Sequence, residues 1–105
     1  EETDLCIRLA NKSKYAYLIP EAEFVHFNGA STGKSLAIKK ELKISLLYII
    51  RKHYGFFGHK VVQLFLIIKY FFSSILKPKN WSLFLLVLNG APLSKSLKTK
   101  QLIKL

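Results

Sequence analysis

The 105-residue chain has one cysteine, no methionine and no acidic residue after Glu41. A single cysteine, Cys6, excludes an internal disulfide framework and leaves the redox compartment open. The start at Glu1 has neither the basic residues nor the apolar run of a signal peptide. Because methionine is absent, we expect a fragment of a longer or processed protein. The length allows one small domain.

The charged residues are divided unevenly along the chain. Residues 1–41 hold all six acidic residues and six basic ones, whereas residues 42–105 carry the whole net charge of +11. The basic stretch is also rich in Leu, Ile and Phe, and this combination favours an anionic membrane surface as partner. Single-stranded nucleic-acid modules place aromatic residues among basic ones on a polar face. The chain lacks that pattern and has only two Arg, so we expect no nucleic-acid partner.

The stretch FVHFNGASTGKSLAIKK, residues 24–40, has the outline of a phosphate-binding P-loop. Counted back from its Gly-Lys-Ser end, the first glycine of that motif should stand at position 28, which is Asn28, while Gly29 is one residue too close. No acidic residue after Glu41 is present to hold magnesium. The spacing therefore argues against an NTPase and leaves a polar turn in which Ser35 caps a helix.

Residues 1–35 predict one short helix and two short strands. Thr3 or Asp4 provides the helix cap, and the polar run NKS at residues 11–13 ends the helix. The β-prone runs YAYLIP and EFVHF, residues 15–20 and 23–27, predict the strands.

From Leu36 onward, the apolar residues recur at helical spacing and predict two helices, the first ended by Gly55 and Gly58 and the second by Pro78. A further apolar run, WSLFLLVL, follows, and the Lys-rich residues 90–105 predict a flexible tail. In the second helix one face is entirely apolar and the polar residues lie opposite. That face either lies in a membrane interface, spans the bilayer or packs against a partner; residues 61–76 are shorter than the roughly 20 that spanning needs. The face comprises Val61, Leu64, Phe65, Ile68, Phe72, Ile75 and Leu76.

A series of short motifs runs through EETDLCIRLANKSKYAYLIPEAEFVHFNGAST, residues 1–32. An acidic pair, D-L-C-x-R, a Tyr-x-hydrophobic-hydrophobic-Pro-Glu-Ala stretch, a Val-His and a Gly-Ala-Ser-Thr loop follow one another. In this order they resemble the catalytic domain of family 2 glycosyltransferases, in particular the rhamnosyltransferase-like bacterial branch. SLLYIIRKHYG, residues 45–55, is similar to a later element of that family. The resemblance implies an α/β fold: the C-terminal fragment of a GT-A sheet, followed by two or three amphipathic or apolar helices.

The resemblance also implies residue roles. Glu2, or else Glu1, matches the base that deprotonates the acceptor hydroxyl during inverting sugar transfer. His26 matches a histidine that in some members helps to hold a divalent metal, Mg or Mn. Asp4 and Arg8 recur in the motif and are spaced to pair one helical turn apart. Without the resemblance, acids at a helix start simply favour the helix dipole, and a lone strand histidine is structural.

The predicted organisation has three parts. Residues 1–35 are the C-terminal portion of the catalytic domain, residues 36–89 a basic, membrane-associating helical extension, and residues 90–105 the tail. The implied reaction moves a sugar from a nucleotide-sugar to a cell-envelope polysaccharide or lipid-linked acceptor, at the cytoplasmic face of the membrane. The nucleotide-binding half and an Asp-x-Asp motif are absent from this sequence, so we expect these residues alone to be inactive. The alternative is a small basic protein that binds membrane surfaces without catalysis.

Overall fold

The computed structural model describes residues 2–27 and 35–100 and divides the chain into two units, Glu1–Ser31 and Thr32–Leu105. Of the described residues, 74% are helical and none forms a strand. The elements in chain order are α1 (Glu2–Ala10), α2 (Leu36–Leu76) and α3 (Trp81–Leu88), with 3₁₀ turns at Pro78–Asn80, Leu93–Lys95 and Leu97–Lys100.

The predicted α/β fold with its GT-A sheet is wrong for the part of the chain that the structure describes. Residues 15–20 and 23–27 form no strand, and their apolar side chains are exposed, Leu18 by 91% and Phe24 by 86%. A strand is held by backbone hydrogen bonds to a neighbouring strand, and residues 2–27 and 35–100 supply no such neighbour. The β propensity of these runs is real, but propensity alone does not form a sheet.

α1 ends at the predicted polar break. The Ser13 N–H donates to the Ala10 carbonyl at 3.0 Å, and the Lys14 N–H donates to the Leu9 carbonyl at 2.9 Å. These two bonds, with Ser13 at a φ of 54°, form a Schellman C-cap in which serine occupies the left-handed position usually held by glycine.

α2 reverses direction at Gly55. This residue has φ 72° and ψ −164°, a backbone conformation that essentially only glycine adopts. In a continuous helix Ile44 and Leu66 would lie roughly 33 Å apart, yet both belong to one core cluster. α2 therefore consists of two packed segments, residues 36–54 and residues 56–76. Gly58, which the sequence also predicts to end the first helix, lies inside the second segment, because its backbone angles are helical.

The ends of α2 match the sequence prediction. Ser35 is the N-cap, and its hydroxyl oxygen accepts a hydrogen bond from the Ile38 N–H at 3.2 Å. The polar turn proposed in place of a P-loop is confirmed at Ser35, while residues 28–34 of that loop lie outside the described residues. At the other end Leu76 is the last helical residue before Pro78.

The core of the second unit lies between the two segments of α2 and α3. Gln63 reaches the C-terminus of α3, where its Nε2 donates to the Val87 carbonyl at 3.0 Å. There the Gly90 N–H donates to the Val87 carbonyl and the Ala91 N–H to the Leu86 carbonyl, both at 2.9 Å, which completes a second Schellman cap. The buried apolar residues of the core are Ile44, Leu47, Leu66, Leu86, Val87 and Ala91, with Val62, Ile67 and Tyr70 packed against them.

Part of the predicted tail has a defined contact with α2. The Ser96 hydroxyl donates to Glu41 Oε1 at 2.5 Å, and the Leu97 N–H donates to Glu41 Oε2 at 2.9 Å. Glu41 is the only acidic residue in the sequence of residues 32–105. Both of its carboxylate oxygens are thus used to hold the chain after α3 against the first segment of α2.

Gly55→Ala should lower the free energy of unfolding by about 1–3 kcal/mol, because alanine is strained at a φ of 72°. Nothing lies within 4 Å of the added Cβ, so the loss would come from the backbone and not from a clash. Urea denaturation followed by circular dichroism measures the change.

The matched control is D-alanine at position 55, introduced by peptide ligation. It adds the same methyl group but prefers positive φ, so stability should equal or exceed that of the natural chain. An equal loss for both variants would contradict the backbone explanation.

Candidate functional site

The first unit holds the residues to which the glycosyltransferase resemblance gives roles. Glu2 lies in the first turn of α1 and is exposed, and Glu1 lies outside the described residues. Arg8 Nε lies 3.1 Å from Asp4 Oδ2, so the ion pair predicted from their spacing is present. The pair bridges one turn on the surface of α1.

His26 is exposed, and its ring centroid lies 6.3 Å from that of Phe24. Within residues 2–27 and 35–100, no three His, Cys, Asp or Glu side chains group closely enough to hold a metal ion. A cleft of about 440 Å³ in this unit includes neither Glu2 nor His26 in its lining. The catalytic and metal-binding roles of Glu2 and His26 therefore stay predictions. The cleft is lined by Leu5, Arg8, Leu9, Asn11 and Lys12.

In the second unit, the predicted apolar face of residues 56–76 lies on the outside. Its seven residues are between 51% and 83% exposed, whereas the polar Gln63 and Ser74 are each 6% exposed. The amphipathic helix of a soluble domain turns its apolar face towards the core. This segment packs Val62, Leu66 and Ile67 into the core on one side and leaves a second apolar face exposed on the other. A contiguous exposed apolar surface of this kind marks a site that binds protein or membrane. We call this surface the apolar strip: Val61, Leu64, Phe65, Ile68, Phe72, Ile75 and Leu76.

Exposed lysines border the apolar strip on both sides. At about 100° per residue, Lys60 lies roughly 100° to one side of the centre of the strip and Lys69 roughly 80° to the other. Lys77 follows the C-terminal end, and all three are exposed. From such positions the methylene chain of lysine covers apolar surface while the ammonium group reaches water or lipid headgroups.

Aromatic side chains lie at both ends of the strip, and at its N-terminal end they meet basic side chains. The Arg51 guanidinium carbon and Lys60 Nζ lie 5.1 Å and 5.4 Å from the centroid of the Phe56 ring. At the other end, the ring of Trp81 lies 5.0 Å from that of Phe84. Aromatic rings beside basic residues are typical of the membrane–water boundary.

α2 is long and apolar enough to cross a membrane, judged by length and composition. Its most apolar stretch has a mean hydropathy of 1.4, and only 17% of that stretch is buried inside the structure. Because Gly55 divides α2, the strip belongs to the second segment, residues 56–76. The predicted association with a membrane thus has an exposed apolar helix to support it.

His59 lies at the start of the second segment, and its Nδ1 is buried without a hydrogen-bond partner. Burial lowers the pKa of the imidazole below 6.5, and the charges of Lys60 and Arg51 lower it further. A hydrogen bond to the Gly90 backbone raises the pKa but does not cancel these effects. His59 also lines a cleft of about 140 Å³ together with Tyr48 and Arg51. The fold therefore favours the neutral imidazole in a positively charged environment.

Sequence spacing assigned no role to His53 or His59, because neither has metal-ligand spacing with a cysteine or an acid. The signal that could have indicated this site is the basic and aromatic run RKHYGFFGHK around Gly55, residues 51–60. Lys60 lies one helical turn after Phe56, and the kink at Gly55 brings Arg51 to the same ring.

The lowered pKa of His59 predicts that the free energy of unfolding falls on acidification from about pH 7.5 to about pH 5. His59 binds a proton more readily in the unfolded chain, where its pKa is about 6.5, than in the folded chain. The stability that the neutral His59 contributes is therefore complete above pH 6.5. It is lost as the pH falls from 6.5 towards the lower pKa of the folded chain. His59→Gln should reduce this pH-dependent loss, as measured by urea midpoints at both pH values. Arg51→Gln, which removes one cause of the shift, should reduce the loss partly. An unchanged pH dependence in His59→Gln would contradict the prediction.

Compared with models of protein families, with curated protein sequences and with solved structures, the chain gives no match. The resemblance to family 2 glycosyltransferases stays a prediction. The function proposed below rests on the residues of this chain and their geometry.

Proposed function

We propose that this chain is a peripheral membrane-binding module, and that its apolar strip lies in the interface of an anionic membrane. One observation carries the proposal: the whole strip is exposed, while Gln63 and Ser74 of the same segment are packed inside. An anionic leaflet, such as the cytoplasmic one, attracts the basic residues that border the strip.

Interfacial binding fits the geometry better than spanning. Residues 36–54 pack alongside residues 56–76, so a spanning second segment would draw the charges of the first into the bilayer. Each charge at the bilayer centre costs roughly 2.5–3.5 kcal/mol on insertion scales. Lying in the interface leaves those charges in water. The first segment carries Lys39, Lys40, Glu41, Lys43, Arg51 and Lys52.

The charge balance supports the same conclusion. Residues 42–105 carry the entire net charge of +11. The carboxylate of Glu41, just before them, accepts hydrogen bonds from the Ser96 hydroxyl and the Leu97 N–H. Each Lys or Arg near an anionic surface contributes about 1 kcal/mol of attraction, which salt screens. The strip then adds the apolar contribution that retains the protein after electrostatic attraction has brought it to the surface.

The double variant Phe65→Ser/Ile68→Ser should weaken vesicle binding at least about tenfold, because it removes two apolar side chains from the middle of the strip. Both side chains are more than half exposed, so the fold should persist, as circular dichroism would check. Co-sedimentation with vesicles of phosphatidylcholine and phosphatidylglycerol measures the binding.

The matched control is Phe24→Ser/Val25→Ser, which changes two exposed apolar residues of the first unit. It should bind like the natural chain, and high salt or purely zwitterionic vesicles should weaken binding of every variant. Equal vesicle binding by the strip variant and the control would refute the proposal.

A second proposal retains the glycosyltransferase role that the resemblance implies. Within a longer chain that supplies the donor-binding part, Glu2 would act as the base, and the second unit would hold the enzyme at the membrane. The presence of Glu2 in the first turn of α1 and the Asp4–Arg8 ion pair support it, since both follow the motif.

These 105 residues alone should transfer no sugar from nucleotide-sugars, with or without Mg or Mn. In a longer chain with transfer activity, Glu2→Gln should abolish transfer and leave vesicle binding unchanged, because the base is removed and the strip is not. Radiolabelled sugar incorporation measures the transfer. Full transfer activity of the Glu2→Gln variant would eliminate this proposal and leave the membrane-binding module.

A further inference from the structure

We infer that the turn around Gly55 is a binding site for a phosphate monoester displayed on a membrane lipid. The inference rests on the proposed function and gives it a specific headgroup. The site combines Arg51 from the end of the first segment of α2 with His59 and Lys60 from the start of the second.

Two positively charged side chains lie close to the turn at Gly55. Arg51 and Lys60 approach the same ring, that of Phe56, at 5.1 Å and 5.4 Å. The second unit has one acidic side chain, Glu41, and its carboxylate is engaged by Ser96. The sequence of that unit has no other acidic side chain to neutralise the two cations, so an anion from outside can do so.

Hydrogen-bond donors line the cleft next to this turn. The cleft of about 140 Å³ beside Arg51 is lined by Tyr48 and His59, which with the guanidinium provide donors and no acidic group. Arginine presents its N–H groups as a fork that suits two oxygens of one phosphate. The buried Nδ1 of His59 has no hydrogen-bond partner and becomes a donor when the ring is protonated.

The volume of the cleft and the charge around it indicate the size and charge of the ligand. The cleft is far smaller than the several hundred Å³ that pockets for whole organic ligands occupy, so it suits a headgroup phosphate and not a nucleotide. A phosphate monoester carries about −1.5 to −2 charges at neutral pH, because its second pKa is near 6. Arg51 and the protonatable imidazole of His59 line the cleft, and Lys60 lies at the Phe56 ring beside Arg51. Together they match that charge better than they match the single charge of a diester.

The position of the site suits a ligand at a membrane surface. Exposed Phe57 and Val61 begin the apolar side of the second segment within one turn of Lys60. When the strip lies in the interface, this end of the helix meets the layer of headgroups. Binding of the phosphate should raise the pKa of His59, because a nearby anion favours the imidazolium.

The test compares vesicles that contain phosphatidic acid, a lipid with a monoester headgroup, with phosphatidylglycerol vesicles matched in surface charge. The natural chain should prefer phosphatidic acid by about tenfold. Arg51→Gln and Lys60→Gln should both abolish the preference. Lys98→Gln, an exposed lysine near the C-terminal 3₁₀ turn, is the matched control and should keep it. NMR titration of the His59 ring should show a rise in its pKa with phosphatidic acid and none with phosphatidylglycerol.

Three outcomes would overturn the inference. If the chain binds both kinds of vesicle equally and the pKa of His59 does not change, the phosphate site is refuted, but the proposed membrane-binding function is not. A preference that survives both Arg51→Gln and Lys60→Gln would place the site elsewhere. The third outcome is that inorganic phosphate raises the pKa of His59 although the chain binds both kinds of vesicle equally. The site would then bind free phosphate, and the proposal of a lipid ligand would be wrong. Thermal melting of each variant separates loss of folding from loss of binding.

Discussion

The reversal of α2 at Gly55 is the constraint on which the rest of the second unit depends. It folds residues 36–54 back so that Ile44 and Leu47 join Leu66 in one core. That contact covers the side of the second segment that carries Gln63, and the opposite side is left uncovered. The same reversal brings Arg51 next to residues that follow the turn. One glycine conformation thus determines both the exposed apolar strip and the basic site.

Two polar side chains, those of Gln63 and Ser74, are buried beside Leu66 on the covered side of the second segment, and both make hydrogen bonds. The Gln63 amide donates to the Val87 and Leu88 carbonyls at 3.0 Å and 3.4 Å and accepts from Lys60 Nζ at 3.1 Å. A buried polar group costs little once its hydrogen bonds are made. Gln63 also caps the C-terminal carbonyls of α3, so this buried residue helps to hold the third helix in place.

Local interactions explain which elements could be predicted. The Ser35 cap, the break at Gly55 and the stop at Pro78 depend on residues within one or two turns, and the structure contains all three. The prediction of two strands was wrong because a strand depends on residues that are distant in the sequence. Residues 15–20 and 23–27 have the composition of strands, but a strand needs a partner that lies elsewhere in the chain or in another chain.

The sequence by itself determined the helices, the apolar and basic character of their faces and the Asp4–Arg8 spacing, because each follows from neighbours along one helix. The tertiary structure alone decided which face of residues 56–76 is covered. The sequence also could not indicate that Arg51, His59 and Lys60 converge. Periodicity places side chains around a helix axis, but it does not say which side another segment covers; the backbone angles of Gly55 decide that.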